Sequence, residues 1–258
     1  IECNPEDITI EKLRVLKKAG FNRLSIGIQS FIEGDLKYLQ RGHSVNQSLE
    51  AVSSALEFSF SNLNVDFIIG LPTQNEKSLD LNFSHIERFN IPHVSCYLLE
   101  NVLPSRSSEE SQYILYNFTR KRLKAFIHYE VSNFCRPGFE CSHNLKYWKN
   151  QDYIGIGLAA SGYENETDYQ NLDQMDLYID SISQNKLPVK EVNTLNPVNR
   201  KIVAGLRLLE GVSLSSFQYH KKELEFLLTE NLLIKVGKKI AVNPEKILLL
   251  NEILAYFI

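Results

Sequence analysis

The stretch Val65-Asp66-Phe67-Ile68-Ile69-Gly70-Leu71-Pro72 decides the fold class. A short run of β-branched and aromatic residues that ends at Gly and Pro is typical of a strand buried on both faces. Similar runs occur at 24–28 and 94–98, with helical patterns between them. This alternation predicts an α/β fold with a parallel sheet, open or closed. We favour a partial (β/α) TIM-like barrel of which the chain holds the later strands, with its site at the carboxyl ends of the strands.

Two capping signals predict where helices begin. Ser44 and Gln47 form a capping box before an amphipathic pattern. Ser107 and Glu110 have the same spacing and predict a long helix that extends to about Phe126.

The chain is predicted to have three parts. Residues 1–131 form the barrel portion, and residues 132–195, rich in Gly, Asn and aromatic residues, form an irregular connecting segment. Residues 196–258 form a small, mostly helical, winged-helix-like domain. In it, Asn196-Pro197 and Asn243-Pro244 each place an N-cap before a proline at the first helical position.

Charge argues against nucleic-acid binding. The 258 residues carry 28 Lys and Arg against 31 Asp and Glu, a formal net charge of −3, so no bulk positive field is available. Lys235, Lys238 and Lys239 favour a solvated turn, with a DNA-binding wing as a minor alternative. No apolar run is long enough for a membrane span.

The four cysteines are too few for a disulfide scaffold and indicate a reducing, cytoplasmic location. Cys135, Cys141 and His143 lack the spacing of a zinc site, so we expect no metal there. The first residue is Ile1 rather than Met, from which we expect that a preceding part of the protein is missing.

Polar residues near strand ends are the candidate site. The Asp66 carboxylate lies in an apolar strand, which is costly unless it is hydrogen-bonded or paired. It is equally compatible with a core role and with binding ligand hydroxyls or amines. Gln29 and Glu2 each follow a predicted strand. Arg41 could bind a ligand carboxylate, although a surface position is the simpler interpretation.

The sequence His-Asn-Leu-Lys-Tyr-Trp at His143–Trp148 combines an imidazole with aromatic rings. Such a combination suits a flat apolar ligand with a metal centre. The alternative is a loop that its aromatic residues anchor to the protein.

Several motifs occur together in one order along the chain. They are Glu2-Cys3-Asn4-Pro5, Leu24–Phe31, Arg41-x-His43, Asp66–Pro72, Tyr129–Gly138, His143–Trp148 and Tyr153–Gly157. In this order the chain resembles the oxygen-independent coproporphyrinogen III oxidase-like radical SAM family. The motif at 143–148 is similar to that of its haem-chaperone (HemW) branch.

The resemblance implies that Glu2, Gln29, Arg41 and Asp66 contact S-adenosylmethionine (SAM) and that His143 binds haem. It also implies a [4Fe–4S] cluster, but the family's CxxxCxxC motif does not occur in these residues. We therefore expect the cluster ligands in the missing N-terminal part and no radical chemistry from this chain alone. No catalytic residue is assigned.

The implied function is that of a haem chaperone that binds haem and SAM and delivers haem to acceptor proteins. The alternative is an oxygen-independent coproporphyrinogen III oxidase (dehydrogenase) of porphyrin biosynthesis.

Overall fold

The computed structural model describes residues 1–99, 107–190 and 195–258. The chain separates into two compact units, Ile1–Glu140 and Cys141–Ile258. The division into parts 1–131, 132–195 and 196–258 stays a prediction. Within the described ranges, no helix has the length and apolar character to cross a membrane.

The first unit contains a six-stranded sheet of order β1-β2-β3-β4-β6-β5. Its strands are β1 Glu2–Cys3, β2 Arg23–Gln29, β3 Asn62–Ile69, β4 His93–Leu98, β5 Ile127–Glu130 and β6 Asn133–Cys135. Strands β1 to β4 are parallel, whereas β6 pairs antiparallel with both β4 and β5. The sheet is thus mixed and not wholly parallel, because the short turn between β5 and β6 allows only antiparallel pairing.

Helices connect the parallel strands. They are α1 Ile10–Lys18, α2 Glu33–Tyr38, α3 Val45–Glu57, α4 Glu76–Arg88 and α5 Glu109–Arg122. The capping box of Ser44 and Gln47 before α3 is confirmed. The cap predicted at Ser107 is wrong by one residue: Ser108 accepts from the backbone N–H of Ser111. The Ser107 hydroxyl instead donates to the carbonyl of Gly70.

Strand β3 shows how the sheet divides its two faces. Val65, Phe67 and Ile69 are at most 1% exposed, and burying each such side chain stabilises the fold by about 1.5–3 kcal/mol. Asn64 and Asp66 alternate with them and therefore point to the opposite face. The expectation that β3 is buried on both faces holds for Asn64, which is 2% exposed, whereas Asp66 is only partly buried. The face that carries these two side chains is polar, and the candidate site lies there.

The second unit contains two three-stranded sheets of orders β7-β8-β9 and β10-β12-β11. Their strands are β7 Ser161–Glu164, β8 Thr167–Asn171, β9 Val189–Lys190, β10 Val212–Ser213, β11 Leu233–Val236 and β12 Lys239–Val242. Its helices are α6 Ser142–Trp148, α7 Met175–Ser183, α8 Pro197–Gly205, α9 Lys221–Thr229 and α10 Leu250–Leu254.

The expectation that 132–195 is irregular is wrong. Strand β6, helices α6 and α7 and strands β7 to β9 lie within it. These elements have two to nine residues each. Most are too short for hydrophobic periodicity to be visible.

The caps predicted for the C-terminal residues are present. Asn196 accepts from the backbone N–H of Val198 at the start of α8. Asn243 accepts from that of Glu245, although the helix it begins, Pro244–Leu249, is a 3₁₀ helix. The predicted hairpin between them is β11 and β12.

Candidate functional site

A row of hydrogen-bonded polar side chains crosses one face of the first unit's sheet. We call it the polar network. Its members are Ser25, Asn64, Asp66, His93, Ser95 and Asn133. They come from β2, β3, β4 and β6. Adjacent strands bring them into register, with Ser25 beside Asn64 and Asp66 beside Ser95.

Asp66 accepts hydrogen bonds from neutral side chains in this network. Ser25 Oγ donates to one carboxylate oxygen at 3.1 Å, and Asn64 Nδ2 donates to the other at 2.7 Å. Burial raises the pKa of Asp66, while these hydrogen bonds and one with Ser95 oppose the rise. No cation appears among the groups that shift this pKa. The carboxylate is therefore solvated by neutral dipoles and retains the capacity to accept from a ligand.

His93 orients the amide that holds Asp66. Its Nδ1–H donates to Asn64 Oδ1 at 2.5 Å, and its Nε2 accepts from the hydroxyl of Tyr129 at 2.9 Å. The ring is fully buried, and burial lowers its pKa to about 3. The neutral imidazole thereby fixes the direction of the Asn64 amide.

A second group of side chains surrounds Gly27. A methyl group at Gly27 would lie 2.8 Å from Gln29 Nε2, 3.3 Å from Asn4 Oδ1 and 3.5 Å from an Arg41 nitrogen. The guanidinium of Arg41 donates to Asn4 Oδ1 at 2.6 Å. We call these four residues the Gly27 cradle. The absence of a side chain at Gly27 lets two donors, one of them charged, approach the backbone closely.

Gln29 reaches the cradle through an irregular backbone. The pairing of β2 with β3 shifts register between Ile26 and Gln29, and Gln29 has a φ of 65°. Bulges and left-handed non-glycine residues re-aim side chains and are enriched at functional sites.

Buried contacts hold the chain just beyond Gln29. Ser30 Oγ donates to Asp35 at 2.7 Å, and the backbone N–H of Phe31 donates to Asn82 Oδ1 at 2.6 Å. Before Gln29, the carbonyl of Ile28 accepts from His43 Nε2 at 3.2 Å. The Arg41-x-His43 motif thus serves two purposes: Arg41 lies in the cradle and His43 supports the strand end.

The structure brings some of the predicted residues together and separates others. Gln29 and Arg41 meet at Gly27, and Asp66 lies in the polar network of the same sheet.

Glu2 is exposed on β1, opposite Ser25, and its charge contributes to the raised pKa of Asp66. His143 belongs to the second unit. The sequence analysis does not single out Asn4, Ser25 or Asn64 as site residues. The alternation of Asn62, Asn64 and Asp66 is the sequence signal that could have identified Asn64, because alternate residues of a strand share a face.

His143 lies on the exposed helix α6. Its Nε2 is 2.6 Å from the hydroxyl of Tyr147, one helical turn later, and the two rings pack edge to face at 4.8 Å. This hydrogen bond engages Nε2, and Nδ1 has no hydrogen-bond partner in the described part of the chain. The motif is therefore an ordered helix and not a loop, which corrects the alternative drawn from its composition.

The cysteines do not assemble a site. Cys135 is buried in β6, and Cys141 precedes α6 in the other unit. In the parts of the chain that the structure describes, no three His, Cys, Asp or Glu side chains are grouped so as to hold a metal ion.

The SAM contact that the family resemblance implies for Gln29 predicts that Gln29→Gly lowers the affinity for SAM about tenfold without lowering the denaturation midpoint. Glycine adopts the φ of 65° without the roughly 1 kcal/mol cost of a left-handed side chain. Isothermal titration and urea unfolding of the full-length protein measure the two quantities. Gln40→Gly is the matched control, since Gln40 has a φ of 53° and lies outside the cradle. Loss of SAM affinity in both variants would contradict a specific role for the Gln29 amide.

Comparisons with known proteins agree with these motifs. The Radical SAM superfamily profile matches residues 1–82. The heme chaperone HemW of Bacillus subtilis is 33% identical over 234 residues, which cover 84% of this chain and 62% of that protein. The corresponding protein of Lactococcus lactis is 32% identical over 265 residues, covering 95% of this chain and 69% of that protein. The chain thus spans roughly two thirds of these relatives.

A solved structure supports the fold. Coproporphyrinogen III oxidase (HemN) from Escherichia coli superposes with a TM-score of 0.83 over 100% of this chain and 68% of that one, at 20% identity. At this identity the likeness shows the fold alone, and it confirms the predicted α/β class. The profile match and the two relatives establish the family: the chain belongs to the heme chaperone HemW branch of the radical SAM superfamily.

Proposed function

We propose that this chain is the larger part of a haem chaperone that binds SAM in its first unit and haem in its second, and that passes haem to acceptor proteins. The observation that carries the proposal is the exposed His143 on α6, whose Nε2 is hydrogen-bonded to the Tyr147 hydroxyl while Nδ1 has no hydrogen-bond partner among the described residues. Proteins named heme chaperone HemW are similar over 84% and 95% of the chain.

The Gly27 cradle and Asp66 fit SAM. Arg41 can bind the carboxylate of the ligand's methionine moiety, and Gln29 can bind its polar groups. Asp66 and Glu2 can accept from ribose hydroxyls or from the amino group. A Cβ at position 27 would come within 2.8 Å of Gln29 Nε2, so glycine is what allows Gln29, Asn4 and Arg41 to gather there.

A [4Fe–4S] cluster does not fit the residues at hand. Cys3, Cys96, Cys135 and Cys141 do not have the CxxxCxxC spacing. We place the cluster ligands outside this sequence. The 258 residues alone are accordingly expected not to cleave SAM.

Finer features of the fold also belong to the proposal. Four parallel strands joined by helices support a partial (β/α) barrel for the first unit. Helix α8, β10, helix α9 and the hairpin of β11 and β12 follow the element order of a winged helix. We place the protein in the cytoplasm, in agreement with its four free cysteines.

In the proposed haem site, Tyr147 forms a hydrogen bond with the imidazole of His143 and is not itself an iron ligand. With His143 Nε2–H donating to the Tyr147 oxygen, Nδ1 is the atom left to bind iron. Such a hydrogen bond fixes the tautomer and orientation of a ligating histidine.

His143→Ala is expected to shift the Soret band of the haem complex and to weaken haem binding at least tenfold. Absorption titration of the full-length protein with haemin measures both. Ser142→Ala, on the same exposed helix, is the control and keeps the wild-type spectrum. An unchanged spectrum in His143→Ala would show that the axial ligand lies elsewhere.

The alternative function is oxidative decarboxylation of coproporphyrinogen III, supported by the fold shared with HemN. Anaerobic incubation of the cluster-loaded, full-length protein with coproporphyrinogen III and SAM distinguishes the chaperone function from the decarboxylation. The chaperone proposal expects no decarboxylated product and transfer of haem to an apo-haemoprotein. Product formation would reverse the assignment.

A further inference from the structure

Gln29 occupies the centre of a tight backbone turn at the end of β2. The backbone N–H of Ser30 donates to the carbonyl of Ile28 at 2.8 Å, and Gln29 between them has a φ of 65°. A hydrogen bond between residues i and i+2 around a residue of positive φ is the pattern of the rare, strained form of the γ-turn. Such a conformation persists at a non-glycine residue only where the surrounding structure enforces it. The groups that enforce it therefore determine where the Gln29 side chain points.

Two buried side chains hold this turn, one at each end. His43 Nε2 donates to the carbonyl of Ile28 at 3.2 Å, and the hydroxyl of Ser30 donates to Asp35 Oδ2 at 2.7 Å. The side chain of His43 is fully buried, and Asp35, in the first turn of α2, is 1% exposed. Because both contacts are shielded from water, the turn cannot open without breaking a buried hydrogen bond.

Asp35 ties the turn to the segment that follows β3. Its Oδ1 accepts from the hydroxyl of Thr73 at 2.6 Å, and its Oδ2 accepts from Gln74 Nε2 at 3.1 Å. Gln74 Nε2 also donates to the carbonyl of Ile68, near the end of β3, at 2.9 Å. Strand β3 is the fixed side of this link, since it pairs with β2 on one side and β4 on the other. The turn after β2 is therefore held against the end of β3 through Asp35.

The chemistry of Asp35 makes this link rigid. Its side-chain partners, Ser30, Thr73 and Gln74, are hydroxyl and amide donors, none of them charged. A carboxylate buried among neutral donors is costly unless all its hydrogen bonds are made. Hydrogen bonds weaken steeply when their distances and angles change. The three donors are thus held in one arrangement, which an apolar contact of the same size would not enforce.

We propose that Asp35 is a positioning residue for SAM binding: by holding Ser30, it keeps the turn closed and the Gln29 side chain in the Gly27 cradle. The inference rests on the proposed function, since it takes Gln29 as a SAM contact. Asp35 itself does not touch the ligand, because its carboxylate is buried and engaged by three side chains. Its effect on SAM affinity therefore passes through Gln29 and disappears when residue 29 has no side chain to position.

The experiment is a double-mutant cycle on SAM affinity in the full-length protein, measured by isothermal titration. Asp35→Ala is expected to weaken SAM binding about tenfold, whereas Asp35→Asn, which keeps an acceptor for Ser30, should weaken it by at most about threefold. Ser30→Ala removes the contact with the turn but leaves Asp35 its other two partners, and it should weaken binding about threefold to tenfold. It provides the same test if Asp35→Ala does not fold. Combined with Gln29→Gly, none of these changes should weaken SAM binding beyond Gln29→Gly alone.

Leu115→Ala is the control for a loss of stability alone. Leu115 is 2% exposed on α5 and belongs neither to the Gly27 cradle nor to the polar network. The variant should lower the urea midpoint and keep the wild-type affinity for SAM.

The outcomes separate this inference from the proposed function. Additive losses in the double variants, or wild-type affinity in Ser30→Ala and in folded Asp35→Ala, would overturn Asp35 as a positioning residue and leave SAM binding by Gln29 intact. Wild-type affinity in Gln29→Gly, or no SAM binding by wild type, would overturn the proposed SAM site and this inference with it.

Discussion

Replacement of Asp66 by asparagine is expected to weaken SAM binding by about tenfold to a hundredfold and to leave the protein at least as stable as wild type at pH 7. The loss of affinity follows from removing an ionised acceptor, since hydrogen bonds to charged groups contribute about 1.5–3 kcal/mol. The fold should persist because an asparagine amide can accept from Asn64 and donate to the Ser25 hydroxyl, which replaces both contacts of the carboxylate.

The stability part of this expectation comes from the pKa of Asp66, which burial raises above its usual value of 3.8. The folded state then binds the proton more tightly than the unfolded state does. Ionised Asp66 therefore lowers the free energy of unfolding as the pH rises from about 3.8 through the raised pKa. Asparagine avoids that loss, so the stability difference between variant and wild type should vanish at acidic pH.

Urea unfolding at several pH values and SAM titration of the full-length protein measure these effects. Asp173→Asn is the matched control, since Asp173 is an exposed carboxylate in the second unit and should leave SAM affinity unchanged. Wild-type affinity in Asp66→Asn would return Asp66 to a purely structural role. A fall in stability at pH 7 would show that the carboxylate is needed by the fold itself.

The location of Asp66 on a buried strand could be predicted from sequence, but its surroundings could not. The apolar residues of β3 predict the strand, and the alternation of Asn62, Asn64 and Asp66 contains the signal for a polar face. The partners Ser25 and Ser95 lie 41 and 29 residues away in the chain. Only the register of three parallel strands brings them together, and strand register depends on the whole sheet.

Arg41 and Gln29 show a second limit. From sequence, Arg41 was compatible with the surface and Gln29 with a strand end. Their meeting at Gly27 depends on the register shift in β2 and on the left-handed backbone of Gln29. Neither feature has a sequence signal, since such conformations usually belong to Gly, Asn or Asp. The resemblance to a family named both residues, and the geometry supplies the physical reason.

The HNLKYW motif shows the opposite case, in which composition was misleading. Its glycine-poor, aromatic-rich residues were assigned to an irregular segment, yet they form α6. Seven residues make only two helical turns, which is too short for an amphipathic pattern to be recognised. Hydrogen bonding between His143 and Tyr147 at a spacing of four residues is consistent with a helix.

His93 is expected to make the first unit sensitive to acid. Burial lowers its pKa from 6.5 to about 3. Between these pH values the imidazole is protonated in the unfolded state and neutral in the folded state. The free energy of unfolding should therefore fall by about 1.4 kcal/mol per pH unit between these values, or about 3 kcal/mol by pH 4. His128, whose pKa burial lowers to about 4, adds a second loss over a narrower range.

His93→Gln tests this origin, because glutamine does not titrate and its amide can donate to Asn64 and accept from Tyr129. Urea unfolding at pH 7.5, 6, 5 and 4 should show that the variant loses less stability on acidification than wild type, by about 1.4 kcal/mol per pH unit. His128→Gln should show the same relief only down to about pH 4. Protonation of Asp66 raises the free energy of unfolding on acidification, which is opposite to the effect of His93. Wild type and variants are therefore compared at the same pH.

Parallel pH profiles for wild type and His93→Gln would mean that the buried imidazole takes up its proton in the folded state. The hydrogen bond from Nδ1–H to Asn64 could then remain, but Tyr129 could no longer donate to Nε2, and the network that positions Asp66 would differ from the one described.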